Sequence, residues 1–165
     1  MPIAISQAVP PFELAATSDF TFSMAKMIGH PVVIYFYPKD NTPGCTVEAG
    51  NFRDQYHEFS ALGAALVGIS RDSLKSHENF KKKLMLPFEL LADTDEIACT
   101  LFDVIKLKKM YGKEVRGIER STFLIDRHGI LQRAWRGVKV PGHVNEVLEA
   151  LRALTVDTLP DASKA

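Results

Sequence analysis

Pro31-Val32-Val33-Ile34-Tyr35-Phe36-Tyr37 is an unbroken run of β-branched and aromatic residues. A strand with one wet face alternates apolar and polar side chains, whereas a strand without alternation is covered on both faces. The run therefore predicts a central strand between two layers. Pro38, which has no N–H to give to a ladder, stops it, and residues 39–44 read as a turn-rich loop ending in Pro43 and Gly44. From Cys45 the period changes: Ala49, Phe52, Tyr56 and Phe59 fall on one face of a helix that Gly63 ends. Residues 64–70 are a second buried strand. Residues 32–70 thus form a strand–helix–strand unit, expected to be parallel with a right-handed crossover.

Outward from this unit the signals alternate between helix and hairpin. Residues 73–84 predict a charged, exposed helix whose Lys81, Lys82 and Lys83 form a solvated face. A short helix follows at residues 97–102. Residues 120–126 and 130–136 are two strands joined by Arg127-His128-Gly129, a tight hairpin signal. Val144, Val147, Leu148, Leu151 and Leu154 make the last helix amphipathic. Near the front, residues 12–16 and 20–23 read as a further hairpin. The fold class is α/β, a mixed central sheet flanked by helices on both faces, in one domain over residues 1–165 with 156–165 as a loose polar tail.

The composition bounds the function. The chain has 165 residues, 46% of them apolar and 24% charged, which is ordinary globular usage. Lys plus Arg equals Asp plus Glu at 20 each, and that balance speaks against nucleic-acid or membrane-surface binding. No apolar run approaches the ~20 residues of a membrane span. The first ten residues place no basic residue ahead of an apolar core, so no secretory signal is read there. The expectation is a soluble, cytoplasmic monomer.

Cys45 and Cys99 are the two cysteines, with no Cys-x-x-Cys between them. In a reducing compartment such cysteines are commonly buried hydrophobes. Cys45 departs from that pattern. It opens a helix at the carboxyl end of a central strand, where α/β sheets bind ligands. Free N–H groups and the dipole at a helix start favour a thiolate, Pro and Gly fix the loop, and Thr42 has a hydroxyl within reach. A core cysteine needs none of these.

The string from Pro38 through Thr42 to Cys45 resembles the Pro-x-x-x-Thr-x-x-Cys signature of the peroxiredoxins. Residues 35–49 and 117–126 resemble the bacterioferritin comigratory protein, or peroxiredoxin Q, branch, and the likeness runs over roughly residues 10–154. The resemblance implies a thioredoxin fold with the peroxiredoxin insertions. It implies a peroxidase for hydrogen peroxide and small organic hydroperoxides, without metal or organic cofactor. Cys45 would be the nucleophile and pass through a sulfenic acid. Thr42, Arg120 and backbone N–H groups would stabilise the transition state, Pro38 would shield the sulfur, and Glu48 would orient Arg120. Without the resemblance, Arg120 reads as a solvent-facing strand residue and Glu48 as a first-turn acid that suits the dipole.

The sequence departs from that branch where it matters for recycling. Gly50 stands at one usual place of a resolving cysteine, and residues 79–83, the other, hold none. The expected cycle uses one cysteine, with an external thiol reductant such as thioredoxin, glutaredoxin with glutathione, or a small dithiol. A two-cysteine cycle with Cys99 resolving is the alternative. A thioredoxin-like binding or holdase protein with an idle Cys45 is the alternative of another class. The five histidines show no metal spacing, and no phosphate-binding glycine loop is present.

Overall fold

A computed structural model of the chain describes residues 3–158. It opens on an antiparallel ribbon, β1 (Glu13–Ala15) and β2 (Thr21–Ser23), followed by a 3-10 turn over Met24–Met27. β3 (Val32–Phe36) is buried at every residue, as its unbroken apolar run requires. α1 (Pro43–Ala61) returns the chain to β4 (Ala65–Ser70), which pairs parallel with β3. α2 (Leu74–Leu84) leads to β5 (Glu89–Ala92), parallel to β4. After α3 (Ile97–Leu101), β6 (Ile105–Met110) and β7 (Lys113–Ile118) form a separate antiparallel ribbon. β8 (Ser121–Ile125) comes back antiparallel to β3, β9 (Leu131–Arg136) pairs with β8, and α4 (His143–Thr158) follows. The sheet order is β5-β4-β3-β8-β9, with β3 at the centre.

The alternation of β3 sorts the core into two layers. Val32, Ile34 and Phe36 face one side, with Phe12, Phe22, Phe102, Phe123 and Cys99. Val33, Tyr35 and Tyr37 face the other, with Phe52, Phe59, Phe80, Leu148 and Cys45. The two cysteines are therefore on opposite faces of the sheet.

Four features differ from the expectation. The edge strand β5 carries no alternation over its four residues and no sequence signal marks it. The β6–β7 ribbon is largely exposed, so no apolar face announces it; its turn, Tyr111-Gly112, has positive φ at both residues (53° and 77°), a two-residue hairpin geometry. α2 is not simply a solvated helix: His77 and Phe80 are buried, and Lys81 pairs with Glu89 and donates to Ser18. At the C-terminus α4 continues through Thr158, so the start of the expected tail is helical, and residues 159–165 lie outside those described.

Candidate active site

The helix that carries Cys45 starts two residues earlier than its apolar period shows, with Pro43 at the first helical position, where its missing N–H costs nothing. Thr42 is the N-cap, and the first helical bond runs from Thr46 N to Thr42 O at 2.9 Å. Unlike Ser73, whose hydroxyl accepts from Ser76 N at the start of α2, the Thr42 hydroxyl does not cap its helix. It donates to Lys39 O at 2.8 Å. Its proton is thereby engaged, and its lone pairs are left to accept a hydrogen bond. The N–H groups of Gly44 and Cys45, in the first turn, have no intrahelical acceptor. Pro38, half-buried, sits where β3 gives way to this loop.

Arg120, immediately before β8, reaches across to α1. Its Nη1 donates to Glu48 Oε1 at 2.7 Å and its Nη2 lies 3.4 Å from Cys45 Sγ. A Cβ on Gly44 would come within 3.1 Å of Arg120 Nη2, so the glycine makes room for the guanidinium. This is a second reason for glycine in the loop, which the sequence alone did not show. Glu48 lies in the second turn of α1, fully buried, and is not a first-turn surface acid. Burial pushes its carboxyl up to about 7, although Arg120 pulls the other way, and its Oε2 has no hydrogen-bond partner. Arg120 is likewise not a solvent-facing strand residue; its charge is divided between a carboxylate and a sulfur.

Two histidines not singled out by the sequence stand near this site. His143 is buried, its Nε2 lies 2.7 Å from Thr122 Oγ1, and burial pushes it down to about 4. His77 meets Asp40 beneath the loop. Their signals lie in long-range pairings, which no local spacing shows.

Cys99 does not join the site. It is fully buried on the other face of the sheet, its N–H donates to Asp93 Oδ2 at 2.7 Å, and burial followed by the Asp93 charge pushes its thiol upward. Beside the first turn of α1, an apolar groove of about 520 Å³ runs between Pro43, Gly44, Val47 and Asn51 on one wall and Val140 and Pro141 on the other. No helix among the described residues is long and apolar enough to cross a membrane.

Comparison with known proteins bears directly on this arrangement. The AhpC/TSA family description matches residues 5–134. The chain is 48% identical over 155 residues to peroxiredoxin Bcp of Bacillus subtilis (strain 168), covering 94% of this chain and 99% of that one. The structure of the Xanthomonas campestris bacterioferritin comigratory protein, a protein with alkyl peroxide reduction activity, matches at TM-score 0.84 and 49% identity, over 87% of this chain and 92% of that one. A cysteine-to-serine mutant of Xylella fastidiosa PrxQ matches at TM-score 0.88 and 41% identity, over 93% of this chain and 98% of that one. Similarity of that extent, in sequence and in fold, makes this chain a member of the AhpC/TSA family and a thiol-dependent peroxidase of its peroxiredoxin Bcp and Q group.

Proposed function

We propose that Cys45 is the peroxidatic nucleophile, working through a one-cysteine cycle on hydrogen peroxide and small organic hydroperoxides. The observation that carries this reading is the Arg120 guanidinium, which touches Cys45 Sγ and Glu48 together at the start of a helix with no side-chain cap. The thiolate attacks one peroxide oxygen; an S–O bond forms as the O–O bond breaks, sulfur is oxidised to the sulfenic acid, and the departing oxygen leaves as water or alcohol after taking up a proton. Charge develops on the two oxygens, where Arg120 Nη2 and the first-turn N–H groups can donate. The Thr42 hydroxyl, with its proton on Lys39 O, accepts from the peroxide O–H and so orients the attacked oxygen. Glu48 holds the guanidinium in place, and Pro38 shields the sulfur from water.

The groove beside Gly44 supports acceptance of an alkyl group, since it offers an apolar wall next to the sulfur-bearing turn. For recycling, the sheet between the two cysteines supports an external reductant over Cys99. One thiol of thioredoxin, of glutaredoxin with glutathione or of a small dithiol would displace water from the sulfenic acid, and a second thiol would release Cys45. A monomer in the cytoplasm, where such thiols are reduced, completes the reading.

The test treats fully reduced protein with an equal amount of hydrogen peroxide in the presence of a sulfenic-acid trap, followed by peptide mass spectrometry. The expected product is an adduct on Cys45 with Cys99 unmodified. A Cys45–Cys99 disulfide overturns the one-cysteine cycle, and an unmodified Cys45 overturns the nucleophile assignment.

A further inference from the structure

We propose that the buried His77–Asp40 pair is a positioning device for the peroxide reaction, pinning the loop that carries Pro38 and Thr42 against α2 and β5. The inference rests on the assignment of Cys45 as the nucleophile.

Asp40 is the midpoint of the loop, and its side chain points inward. Its Oδ1 accepts from the Tyr37 hydroxyl at 2.6 Å, and its Oδ2 accepts from the Ser76 hydroxyl at 2.8 Å. The same Oδ2 lies 2.8 Å from His77 Nδ1. Its backbone N–H donates to Asp72 Oδ2 at 2.9 Å, and that oxygen also takes the Ser70 hydroxyl at 2.6 Å. The next residue, Asn41, has φ of 64°, which turns the chain sharply toward Thr42. Neither side chain of the pair meets water: His77 is 0% and Asp40 1% exposed.

The proton count follows from the acceptors. His77 Nε2 lies 3.0 Å from Leu91 O, which can only accept, so Nε2 carries a hydrogen. The contact between Nδ1 and Asp40 is attractive only if a proton lies in it. Burial alone would raise the Asp40 carboxyl, but the hydrogen bonds from His77 and Tyr37 outweigh it and hold the group below its ordinary value. The pair is therefore joined by a hydrogen bond, with Nε2 on Leu91 O and the Asp40 oxygens on Tyr37 and Ser76 as the remaining partners. Asp40, Asp72 and His77 lie close enough together to suit a cation. Their facing atoms are instead taken up by one another and by Tyr37, Ser70 and Ser76, so the cluster is a strut.

The strut acts on chemistry because of what it holds. Arg120 and Glu48 are set by β8 and α1, from one side of the site. Thr42 and the first turn of α1 reach the same peroxide from the other side, through a loop whose own bond, Thr42 to Lys39 O, is local. That bond fixes the shape of the loop and Thr46 N to Thr42 O ties its end to α1, but neither holds the position of its midpoint at Asp40. His77 and Asp40 supply that position, by tying the loop midpoint to a helix and to the β5 carbonyl of Leu91. A displacement of about 1 Å in such a constellation costs on the order of 10²-fold in rate.

The test compares His77→Ala, His77→Gln and wild type in two second-order rates at Cys45, oxidation by hydrogen peroxide and alkylation by iodoacetamide. Alkylation requires a reachable thiolate, whereas peroxide also requires Thr42 and Arg120 to be aimed at its two oxygens. The expected result is a loss approaching ~10²-fold in the peroxide rate of His77→Ala with the alkylation rate unchanged. His77→Gln, whose amide can still donate to Asp40, recovers part of the loss. Should His77→Ala not fold, His77→Gln and Ser76→Ala, each weakening the donors to Asp40, are read in the same way. Wild-type peroxide rates in the folded variants, or peroxide and alkylation rates that fall in parallel, overturn the proposal. A Cys45→Ser protein that still consumes peroxide overturns the nucleophile assignment and the inference with it; an inactive Cys45→Ser beside fully active His77 variants overturns the inference alone.

Discussion

The two cysteines are almost equally buried, at 1% and 0% exposure, and they face opposite chemical surroundings. Cys45 opens a helix and meets a guanidinium at 3.4 Å. Cys99 lies in the short α3 and meets the carboxylate of Asp93, which also takes its backbone N–H. Burial, then the Asp93 charge, push the Cys99 thiol up and keep it protonated. Burial thus does not tell the two cysteines apart. The sign of the nearest charge does, and the sheet keeps the two environments apart, because alternate residues of β3 belong to different layers.

The comparison breaks first at the sulfur itself. Cys45→Ser is expected to abolish peroxide consumption and Cys99→Ser to leave it at the wild-type rate, as measured by residual peroxide in a thiol-coupled assay. A Cys99→Ser protein that cannot turn over would restore the two-cysteine cycle. Next in size is the charge beside Cys45. Arg120→Ala removes a donor aimed at the developing charge and is expected to cost on the order of 10²–10³ in the second-order rate with peroxide. A rate equal to wild type would remove Arg120 from the transition state and leave it as the counter-ion of Glu48.

How far this contrast was legible in the sequence differs between its parts. The β3–α1–β4 unit and the β8–β9 hairpin were readable because each has one strong pattern, an unbroken apolar run or two runs about a glycine turn. β5 was not, because four residues at a sheet edge carry no period. Cys45 and Thr42 lie in a segment whose residue types are unusual for bare packing, whereas Arg120 stands out only through the family resemblance. The burial of Glu48 has a signal in the helical period: it shares the inner stripe of α1 with Cys45, Ala49 and Phe52. His77 shares the buried face of α2 with Phe80 in the same way. Its partner Asp40 precedes it by all of α1, all of β4 and the start of α2, and no local pattern encodes that meeting.

Glu48 sharpens the comparison through pH. Its folded-state value, about 7, lies above the ordinary 4.5, so between those two the folded chain holds a proton that the unfolded chain has released. That contribution to stability is fully present below about 4.5, is lost as pH rises, and is gone above about 7. Glu48→Gln, which mimics the protonated acid, is therefore expected to be more stable than wild type at pH 8, by on the order of 3 kcal/mol. The two should converge near pH 4.5. Urea unfolding of both proteins across this window reads the difference. His143 works in the opposite sense, losing stability as pH falls from 6.5 toward about 4, but it is common to both proteins and cancels. Parallel curves for the two proteins would show that burial does not raise the Glu48 carboxyl in the folded chain. The cost of the Glu48 charge is incurred on the Cys45 face, beside the guanidinium it tethers.

The smallest effect belongs to Cys99, where two roles for a buried thiol can be told apart. If Cys99 only fills space, an apolar residue of similar size should replace it best, and Cys99→Val should outlast Cys99→Ser in thermal unfolding. The neighbouring Asp93 argues for the reverse order, since its carboxylate stands beside the thiol as an acceptor. Asp93 also accepts from Ile97 N at 2.8 Å and Cys99 N at 2.7 Å, and so closes the start of α3. A serine hydroxyl can donate to the carboxylate more strongly than a thiol, offsetting the small cavity that the shorter side chain leaves. Valine fills the space and leaves the carboxylate one donor short. Cys99→Ser is expected to stay within about 1 kcal/mol of wild type, and Cys99→Val to lose more than that through the unmet acceptor. Peroxide rates should be the same in both, because the sheet lies between this helix and Cys45. A valine variant more stable than the serine one would make Cys99 an apolar filler, and the charge beside it would then be there for α3 alone.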